Sequence, residues 1–229
     1  MNKLLIKNII ISLIVLLIAI PTTIITFLFV FEKHVVAPES ASSNGYEFFN
    51  YYTSQSNILV AIISVIILVF TIRNILQKRD ELPLWLIVLF LVATTATTVT
   101  LLTTALYLAP TYVASGNSYF MMFKGRLFFL HFLTPILAII LIIFLLNQYR
   151  LTWKHGLLCI LSVATYSCLY VPLVVSHVWI DFYGFTFGGK LWAIPIALAV
   201  MLGVCLGLGL LLVLFHNLFY KKSHKTLKQ

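Results

Sequence analysis

Long apolar runs separated by short polar segments dominate this chain. The runs cover about residues 9–31, 53–76, 82–108, 123–146, 157–180 and 191–219. Each is long enough to cross a hydrocarbon layer as a helix, which takes about 20 residues. None shows the strict alternation of a lipid-facing barrel strand. The pattern predicts an all-α, polytopic membrane bundle of six transmembrane helices.

The first run follows Lys3 and Lys7, as the core of a secretory signal peptide would. The apolar stretch from Ile9 to Phe31 exceeds the ~7–15 residues of such a core, and no Ala-x-Ala pattern follows it. We therefore expect an uncleaved first helix, kinked at Pro21. The longest polar stretch, Glu32 to Tyr52, has only about twenty residues, so residues 1–229 are expected to form a single integral membrane domain.

Composition and charge support this interpretation. Hydrophobic residues make up 62% of the chain and charged residues 9%, which excludes a soluble globular protein and predicts a multi-pass protein of the cell membrane. Of the 15 basic residues, eleven flank one side of the predicted bundle and four flank the other. The positive-inside rule then places both termini in the cytoplasm (N-in, C-in). The net charge of +9 is thus a topology signal rather than evidence for a nucleic-acid partner.

Small and hydroxyl side chains predict close helix contacts in two of the runs. Seven threonines between Thr94 and Thr104 crowd helix three, where they favour tight packing over the alternative of a polar-lined cavity. Gly203 and Gly207 have Gly-x-x-x-Gly spacing in helix six. This motif predicts an internal helix contact, and the alternative is a homo-oligomer seam.

Polar residues inside a membrane span are costly, so those of helix two are candidate site residues. Thr53 and Asn57 are four residues apart and share one helix face, with Ser56 beside them. Capping of the helix start is the alternative role for Thr53. Asn57 lies too deep to be a cap, and its amide needs a partner on another helix.

Further candidates lie in helices four and five. His131 is a lone histidine in an apolar segment of helix four, and it is either a base or a structural residue bonded to a neighbouring hydroxyl. Tyr170, His177 and Asp181 follow a spacing that keeps them, with Tyr166, on one face of helix five. Asp181 could orient a base, although solvation at the interface is the simpler expectation.

The common motifs of soluble enzymes are missing. The chain has no Gly-x-Ser-x-Gly elbow, no His-Glu-x-x-His helix, no Walker loop and no Gly-x-Gly-x-x-Gly. We therefore predict neither a metal site nor a cofactor. The few buried acid–base groups also make an ion-coupled transporter a poor expectation.

The segment Phe49-Asn50-Tyr51-Tyr52-Thr53-Ser54-Gln55-Ser56-Asn57, together with His131 and Pro135, resembles the bacterial six-pass Pr6Pr membrane family. That family is similar to the androgen-induced membrane hydrolases, which cleave fatty-acid esters of hydroxy fatty acids with an intramembrane threonine and histidine. The resemblance spans most of the chain. It implies that Thr53 corresponds to the threonine and His131 to the histidine.

These residues lead to a hypothesis of an intramembrane lipid-ester hydrolase or acyl-transfer enzyme. Thr53 would be the nucleophile and His131 its base, with Asn57, Ser56, Tyr170, His177 and Asp181 in binding or supporting roles. The expected partners are membrane lipid and a lipid-ester substrate. The alternative is a non-catalytic carrier or interaction protein in which the same polar residues serve helix packing.

Overall fold

The computed structural model describes residues 3–31, 45–79 and 82–226, and within these ranges the regular structure is entirely helical. Six helical spans are long and apolar enough to cross a membrane, as a multi-pass membrane protein requires. They are α1 (Lys3–Phe31), α2 (Tyr52–Gln77), α3 (Leu84–Ala114), α4 (Gly125–Leu145), α5 (Trp153–Val175) and α6 (Leu191–Tyr220).

The spans agree with the predicted runs to within two residues except at four ends, one of which is the start of α5 at Trp153 instead of residue 157. Helix α1 begins at Lys3 and passes Pro21 without interruption, and α3 extends to Ala114. Helix α5 ends at Val175, so the prediction that it reaches Ile180 is wrong. Short 3-10 turns at Gly45–Asn50 and Tyr119–Phe123 lead into α2 and α4. Three connections lie on one side of the bundle, which we call the odd-loop side: α1 to α2, α3 to α4, and α5 to α6. The opposite side is called the termini side.

Helix α3 is the centre of the bundle. It packs against α2, α4, α5 and α6, whereas α1 packs on α2 and α4. The most apolar window of α3 is 72% buried and that of α6 only 22%. Most threonines of the α3 core bond back to the preceding turn, for example Thr98 Oγ1 to the Thr94 carbonyl at 2.7 Å. Their polar atoms are satisfied within the helix, which lets neighbouring helices pack closely.

The closest glycine contact joins α5 and α6 at a different place from the one predicted. A Cβ built on Gly209 would lie 2.7 Å from Cys159 Cβ, and one on Gly156 would lie 2.8 Å from Leu210 Cδ2. Gly203 and Gly207 have nothing within 4 Å of such a Cβ. The prediction of an internal contact at Gly203 and Gly207 is therefore wrong within the described part of the chain.

The termini side is held together by the end of α6. Both ring nitrogens of the fully buried His216 lie 2.8 Å from carbonyl oxygens, Nδ1 from Ile142 and Nε2 from Tyr149. The next residue, Asn217, accepts a bond from Leu151 N–H and donates one to Leu151 O. These contacts fix the connection between α4 and α5 against α6.

Residues 176–190 form a folded loop on the odd-loop side, and we call this segment the α5–α6 loop. Its interior side chains, Phe185 and Thr186, are buried, while His177 is exposed and has a left-handed backbone conformation with φ 58°. Because α5 ends at Val175, the expectation that His177 and Asp181 continue the face of Tyr166 and Tyr170 along a helix is wrong.

Candidate functional site

The start of α2 is completed by a side chain from the α5–α6 loop. Tyr51 is the N-cap residue, and its side chain makes no capping bond. The N–H of Tyr52 instead donates to the Tyr183 hydroxyl at 3.0 Å, and Tyr183 also interacts with the backbone and side chain of Thr53. The capping alternative for Thr53 is therefore wrong. A free N–H group at a helix start normally needs such a partner.

Tyr183 is consequently placed beside the candidate nucleophile. Burial raises the pKa of its phenol to about 12, although the N–H groups of Tyr52 and Thr53 act in the opposite direction. The phenol is thus neutral near pH 7 and carries a proton that it can donate. Thr53 and Tyr183 both line an internal cavity of about 30 Å³.

The cavity lies between α2, α3, α5, α6 and the α5–α6 loop, and hydroxyl groups are unusually frequent in its lining. Eight of its twelve lining residues carry one: Tyr52, Thr53, Thr100, Thr103, Thr104, Tyr166, Ser167 and Tyr183. The others are Leu108, Val163, Phe185 and Met201. We call it the hydroxyl cavity. Thr100, Thr103 and Thr104 border this cavity, but its surface is mainly apolar, so of the two alternatives raised for helix three the structure favours tight packing.

Asn57 connects α2 with α4 in the bundle interior. Its side chain is almost fully buried, and Nδ2 donates to the Thr53 carbonyl at 2.8 Å and to the Leu130 carbonyl at 3.1 Å. The expectation that this amide requires a partner on another helix is confirmed. Ser56 makes the equivalent connection to α3, with its Oγ 3.0 Å from Thr100 Oγ1.

His131 lies next to Leu130, within a π-helical turn formed by Phe129–Leu133. It is buried, and its Nδ1 is 2.8 Å from the Met122 carbonyl. A carbonyl can only accept, so Nδ1 carries a proton, and in the neutral ring Nε2 would then carry the lone pair. A neutral histidine with a free Nε2 lone pair is the form that a general base requires.

Thr53 and His131 belong to neighbouring turns, but they do not touch through a hydrogen bond. Asn57 bonds both the Thr53 carbonyl and the carbonyl that precedes His131. Among the described residues, however, the hydrogen bonds of His131 include none to Thr53, and His131 does not line the hydroxyl cavity. The structural alternative for His131, a bond to a neighbouring hydroxyl, is replaced by a bond to a backbone carbonyl.

Asp181 anchors the α5–α6 loop. Its Oδ1 accepts bonds from the Tyr170 hydroxyl at 2.8 Å and from Phe185 N–H at 2.9 Å, and its Oδ2 accepts from the N–H and hydroxyl of Thr186. Burial opposes the charged form, but the bonds from Thr186, Tyr170 and Phe185 outweigh it and lower the pKa of the carboxyl below its ordinary value. Asp181 therefore orients the loop, and no hydrogen bond joins it to a histidine in the described part of the chain.

Tyr170, which the sequence predicted in a binding or supporting role, is part of this anchor. Its hydroxyl proton is directed at Asp181, and its oxygen accepts from the N–H of Tyr183 at 3.1 Å. A hydroxyl already used in this way is a poor donor to a developing oxyanion. Tyr183 is the tyrosine whose hydroxyl lies beside Thr53, and Tyr170 holds the backbone of Tyr183 in place.

A second concave surface lies between α1 and α2. This groove measures about 410 Å³ and is lined mainly by apolar side chains, among them Phe49 from the turn before α2. The residues of the two helices that form it are Thr22, Thr23, Thr26, Phe27, Val30, Phe31, Ile58, Ala61, Ile62 and Val65. Its size and lining suit hydrocarbon.

No protein-family model matches the chain, and no curated protein or solved structure matches it either. The resemblance to the six-pass family consequently stays a prediction. The site has to be interpreted from its own geometry.

Sequence reasoning missed Tyr183 and His216. Tyr183 follows the apolar run in a segment that resembles an ordinary interface loop, and its partner Tyr52 lies 131 residues earlier. His216 follows an apolar run and has no motif around it, although a histidine and an asparagine side by side inside a predicted span were a signal that could have been followed.

Proposed function

We propose that this chain is an intramembrane lipid-ester hydrolase or acyl-transfer enzyme of the cell membrane, with Thr53 as nucleophile and His131 as base. One observation carries the proposal. The Thr53 side chain borders a hydroxyl-lined cavity beside a neutral tyrosine, and Asn57 ties its turn to the turn of His131.

The proposed reaction begins with attack of Thr53 Oγ1 on the carbonyl carbon of a lipid ester. The Thr53 proton passes to Nε2 of His131, because Nδ1 already carries the ring proton that it donates to Met122 O. Because no hydrogen bond joins the two side chains, this proton transfer needs a bridging water or a side-chain rotation. Catalytic hydrogen bonds are often long before substrate binds and shorten in the complex. The bond from the acyl carbon to the alcohol oxygen of the ester then breaks, that oxygen takes the proton from Nε2, and the acyl group remains on Thr53 Oγ1. The Tyr183 hydroxyl, which lies beside Thr53, is the proposed donor to the developing oxyanion, because the N–H groups of Tyr52 and Thr53 are already bonded to Tyr183.

The lipid environment supports the substrate class. The site lies near the start of a membrane-spanning helix, and an apolar groove large enough for an acyl chain lies between α1 and α2 further along the same helix, from Ile58 to Val65, although Thr53 itself does not line it. Membrane lipid is therefore the proposed partner. The unpacked face of Gly203 and Gly207 leaves space for a second copy of the chain, and a homo-oligomer through this face is proposed as well.

A non-catalytic membrane protein is the second candidate, and a specific observation favours it. Asn57, His131 and most α3 threonines bond to backbone carbonyls. In that case the polar residues hold helices together and no reaction occurs at Thr53.

Covalent labelling distinguishes the two functions. We expect a lipid-like fluorophosphonate to label the parent protein at Thr53, identified by peptide mass spectrometry. Thr53→Ala and His131→Ala should each abolish labelling, and the double variant should resemble either single one because the two groups act as a unit. Thr53→Ser keeps a hydroxyl and should retain part of the labelling.

Thr71→Ala is the matched control. Thr71 is also a buried threonine of α2, but its hydroxyl bonds only to the Ile67 carbonyl within its own helix. This variant should label like the parent. A parent that fails to react, or a folded Thr53→Ala variant that reacts equally well, would show that the polar residues serve packing alone.

A further inference from the structure

The hydroxyl cavity and the groove between α1 and α2 lie on opposite sides of α2. Thr53 lines the cavity and does not line the groove. Ile62, which lines the groove, comes nine residues after Thr53, a rotation of about 180° around a helix with 3.6 residues per turn. The other α2 residues of the groove, Ile58, Ala61 and Val65, lie on the same side as Ile62. An acyl group on Thr53 therefore has the cavity next to it and the groove on the far side of the helix.

The cavity is apolar although eight of its lining residues carry a hydroxyl group. The Tyr52 hydroxyl donates to Ser162 Oγ at 3.0 Å, outside the lining. The Tyr166 hydroxyl donates to the Asn50 carbonyl at 2.7 Å, also outside it. With hydroxyls used elsewhere, carbon atoms form almost all of the accessible surface of the cavity. Such a surface suits the alkyl part of an acyl group and disfavours a polar or charged ligand.

The size of the cavity limits the acyl group that it can hold. Its volume is about 30 Å³, and a water-sized group requires ~10–15 Å³ on this measure, so about two such groups fit. A methyl or methylene group is similar in size to a water molecule. The cavity therefore has room for the alkyl part of an acetyl or propionyl group and is too small for a long acyl chain.

Met201 closes the cavity on the side opposite α2. It belongs to α6, which packs on α3 and α5 and makes no extensive contact with α2. Because Thr53 lies on α2, the Met201 side chain limits how far an alkyl group can extend away from Thr53. Shortening this side chain should lengthen the cavity, since neighbouring side chains fill such a space only in part.

We propose that the hydroxyl cavity is the acyl site of the enzyme and that it selects lipid esters whose acyl group is short, acetyl or propionyl. This inference rests on the proposed function. The bond between the acyl carbon and the alcohol oxygen breaks, the alcohol takes the proton and leaves with its long chain, and the short acyl group remains on Thr53 Oγ1. The substrate is thus a short-chain ester of a lipid alcohol, and Met201 is a specificity-determining residue.

A series of esters of one lipid alcohol tests the proposal. The full chain in lipid nanodiscs is given the acetyl, butyryl, octanoyl and palmitoyl esters of hexadecanol, whose common long chain keeps each ester in the membrane. Released hexadecanol is measured by mass spectrometry, and Thr53→Ala gives the background. We expect the acetyl ester to react fastest and the octanoyl and palmitoyl esters at least about tenfold more slowly, because a hydrophobic pocket discriminates about tenfold or more per methylene.

Variants of the two spaces identify which one holds the acyl group. Met201→Ala should raise the butyryl rate severalfold relative to the acetyl rate. Met201→Leu conserves volume and should keep the order of the parent. Ile62→Ala changes only the groove and should also keep that order. Equal or faster reaction of the octanoyl ester in the parent, or a shift in Ile62→Ala and none in Met201→Ala, would overturn the acyl site.

A chemical reaction that needs no catalysis measures the same space. In Thr53→Cys the new thiolate attacks the alkyl-bearing sulfur of an alkyl methanethiosulfonate, a disulfide forms and methanesulfinate leaves. Peptide mass spectrometry identifies the modified position, and Asn117→Cys at an exposed position gives the reference rates. Relative to this reference, the methyl reagent should modify Thr53→Cys severalfold faster than the octyl reagent.

The two experiments separate the inference from the proposed function. Equal methyl and octyl rates at Thr53→Cys, after correction by the reference, would show that the space beside Thr53 does not limit chain length and would overturn the inference. A parent that releases hexadecanol from none of the esters contradicts the proposed function, and with it the acyl role of the cavity. Fast release of hexadecanol from long-chain esters alone supports the proposed function and contradicts the inference.

Discussion

At the scale of single residues, side chains on the odd-loop side make hydrogen bonds to backbone groups at and before the start of α2. These backbone groups have no hydrogen-bond partner within a helix. Tyr183 accepts from the N–H at the start of α2, and the Tyr166 hydroxyl donates to the Asn50 carbonyl at 2.7 Å. Asp181 holds the loop that presents Tyr183. The position of Tyr183, the proposed oxyanion donor, thus depends on the hydrogen bonds of Asp181 within the α5–α6 loop.

We expect Asp181→Asn to loosen the α5–α6 loop. The amide keeps one acceptor oxygen but turns an NH₂ group towards N–H donors, so the loss should be about 1–2 kcal/mol for hydrogen bonds to a charged group near the surface. Limited proteolysis should cut the loop faster in this variant. A matched change at the exposed Asn117 to Ala should leave the cleavage rate of the α5–α6 loop unchanged.

The same carboxylate predicts a pH dependence. Because its pKa is lowered in the folded protein, its stabilisation is complete above the ordinary carboxyl pKa and is lost as the pH falls through the lowered value. Loop proteolysis should therefore be flat from about pH 5 to 8, where the carboxyl is charged in both states, and its acid-induced increase should disappear in Asp181→Asn. A transition near neutral pH in the parent would contradict this assignment.

At the scale of helices, close approach is decided by which glycines face a neighbour. Gly209 lies against Cys159 and the Gly156 carbonyl, whereas Gly207, one half-turn away, has open space where a Cβ would be. The regular spacing of Gly203 and Gly207 carries no information on this difference.

We expect Gly209→Ala to destabilise the protein by about 1–3 kcal/mol, because the added methyl overpacks the α5–α6 contact. Gly207→Ala should have little effect on the folded monomer. Thermal unfolding in detergent measures both. Equal melting temperatures for the two variants would mean that α5 and α6 are not in close contact at Gly209.

Gly207→Ile tests the proposed homo-oligomer, since it should reduce oligomer formation in nanodiscs without lowering monomer stability.

At the scale of the whole molecule, the described structure contains six spans that can cross a membrane. Which side of the bundle faces the cytoplasm is predicted by the distribution of basic residues. Asn117 lies on the odd-loop side and Gln77 on the termini side, and both are exposed. In intact cells, a membrane-impermeant thiol reagent should label Asn117→Cys and not Gln77→Cys. After permeabilisation both should react. Labelling of Gln77→Cys alone in intact cells would mean that the termini face outwards.

The six spans could be predicted because hydropathy over about 20 residues is a local property. That Asn57 bonds to another helix could be predicted for a similar reason. An amide buried in hydrocarbon needs a hydrogen-bond partner, although the sequence does not say which residue supplies it. The end of α5 could not be predicted. Polar and apolar residues alternate irregularly after Val175, and the chain leaves the helix to bring Asp181 back onto Tyr170.

By itself the sequence determined the number and approximate limits of the membrane helices, and it singled out Thr53, Asn57 and His131 as polar groups in an apolar setting. Only the tertiary structure decided that Tyr183 meets Thr53, that His131 bonds to Met122 O, and that Gly209 rather than Gly207 is a contact glycine. The physical reason is distance along the chain. Burial preference is encoded locally, whereas these contacts depend on how α2, α4, α5, α6 and the α5–α6 loop pack in three dimensions.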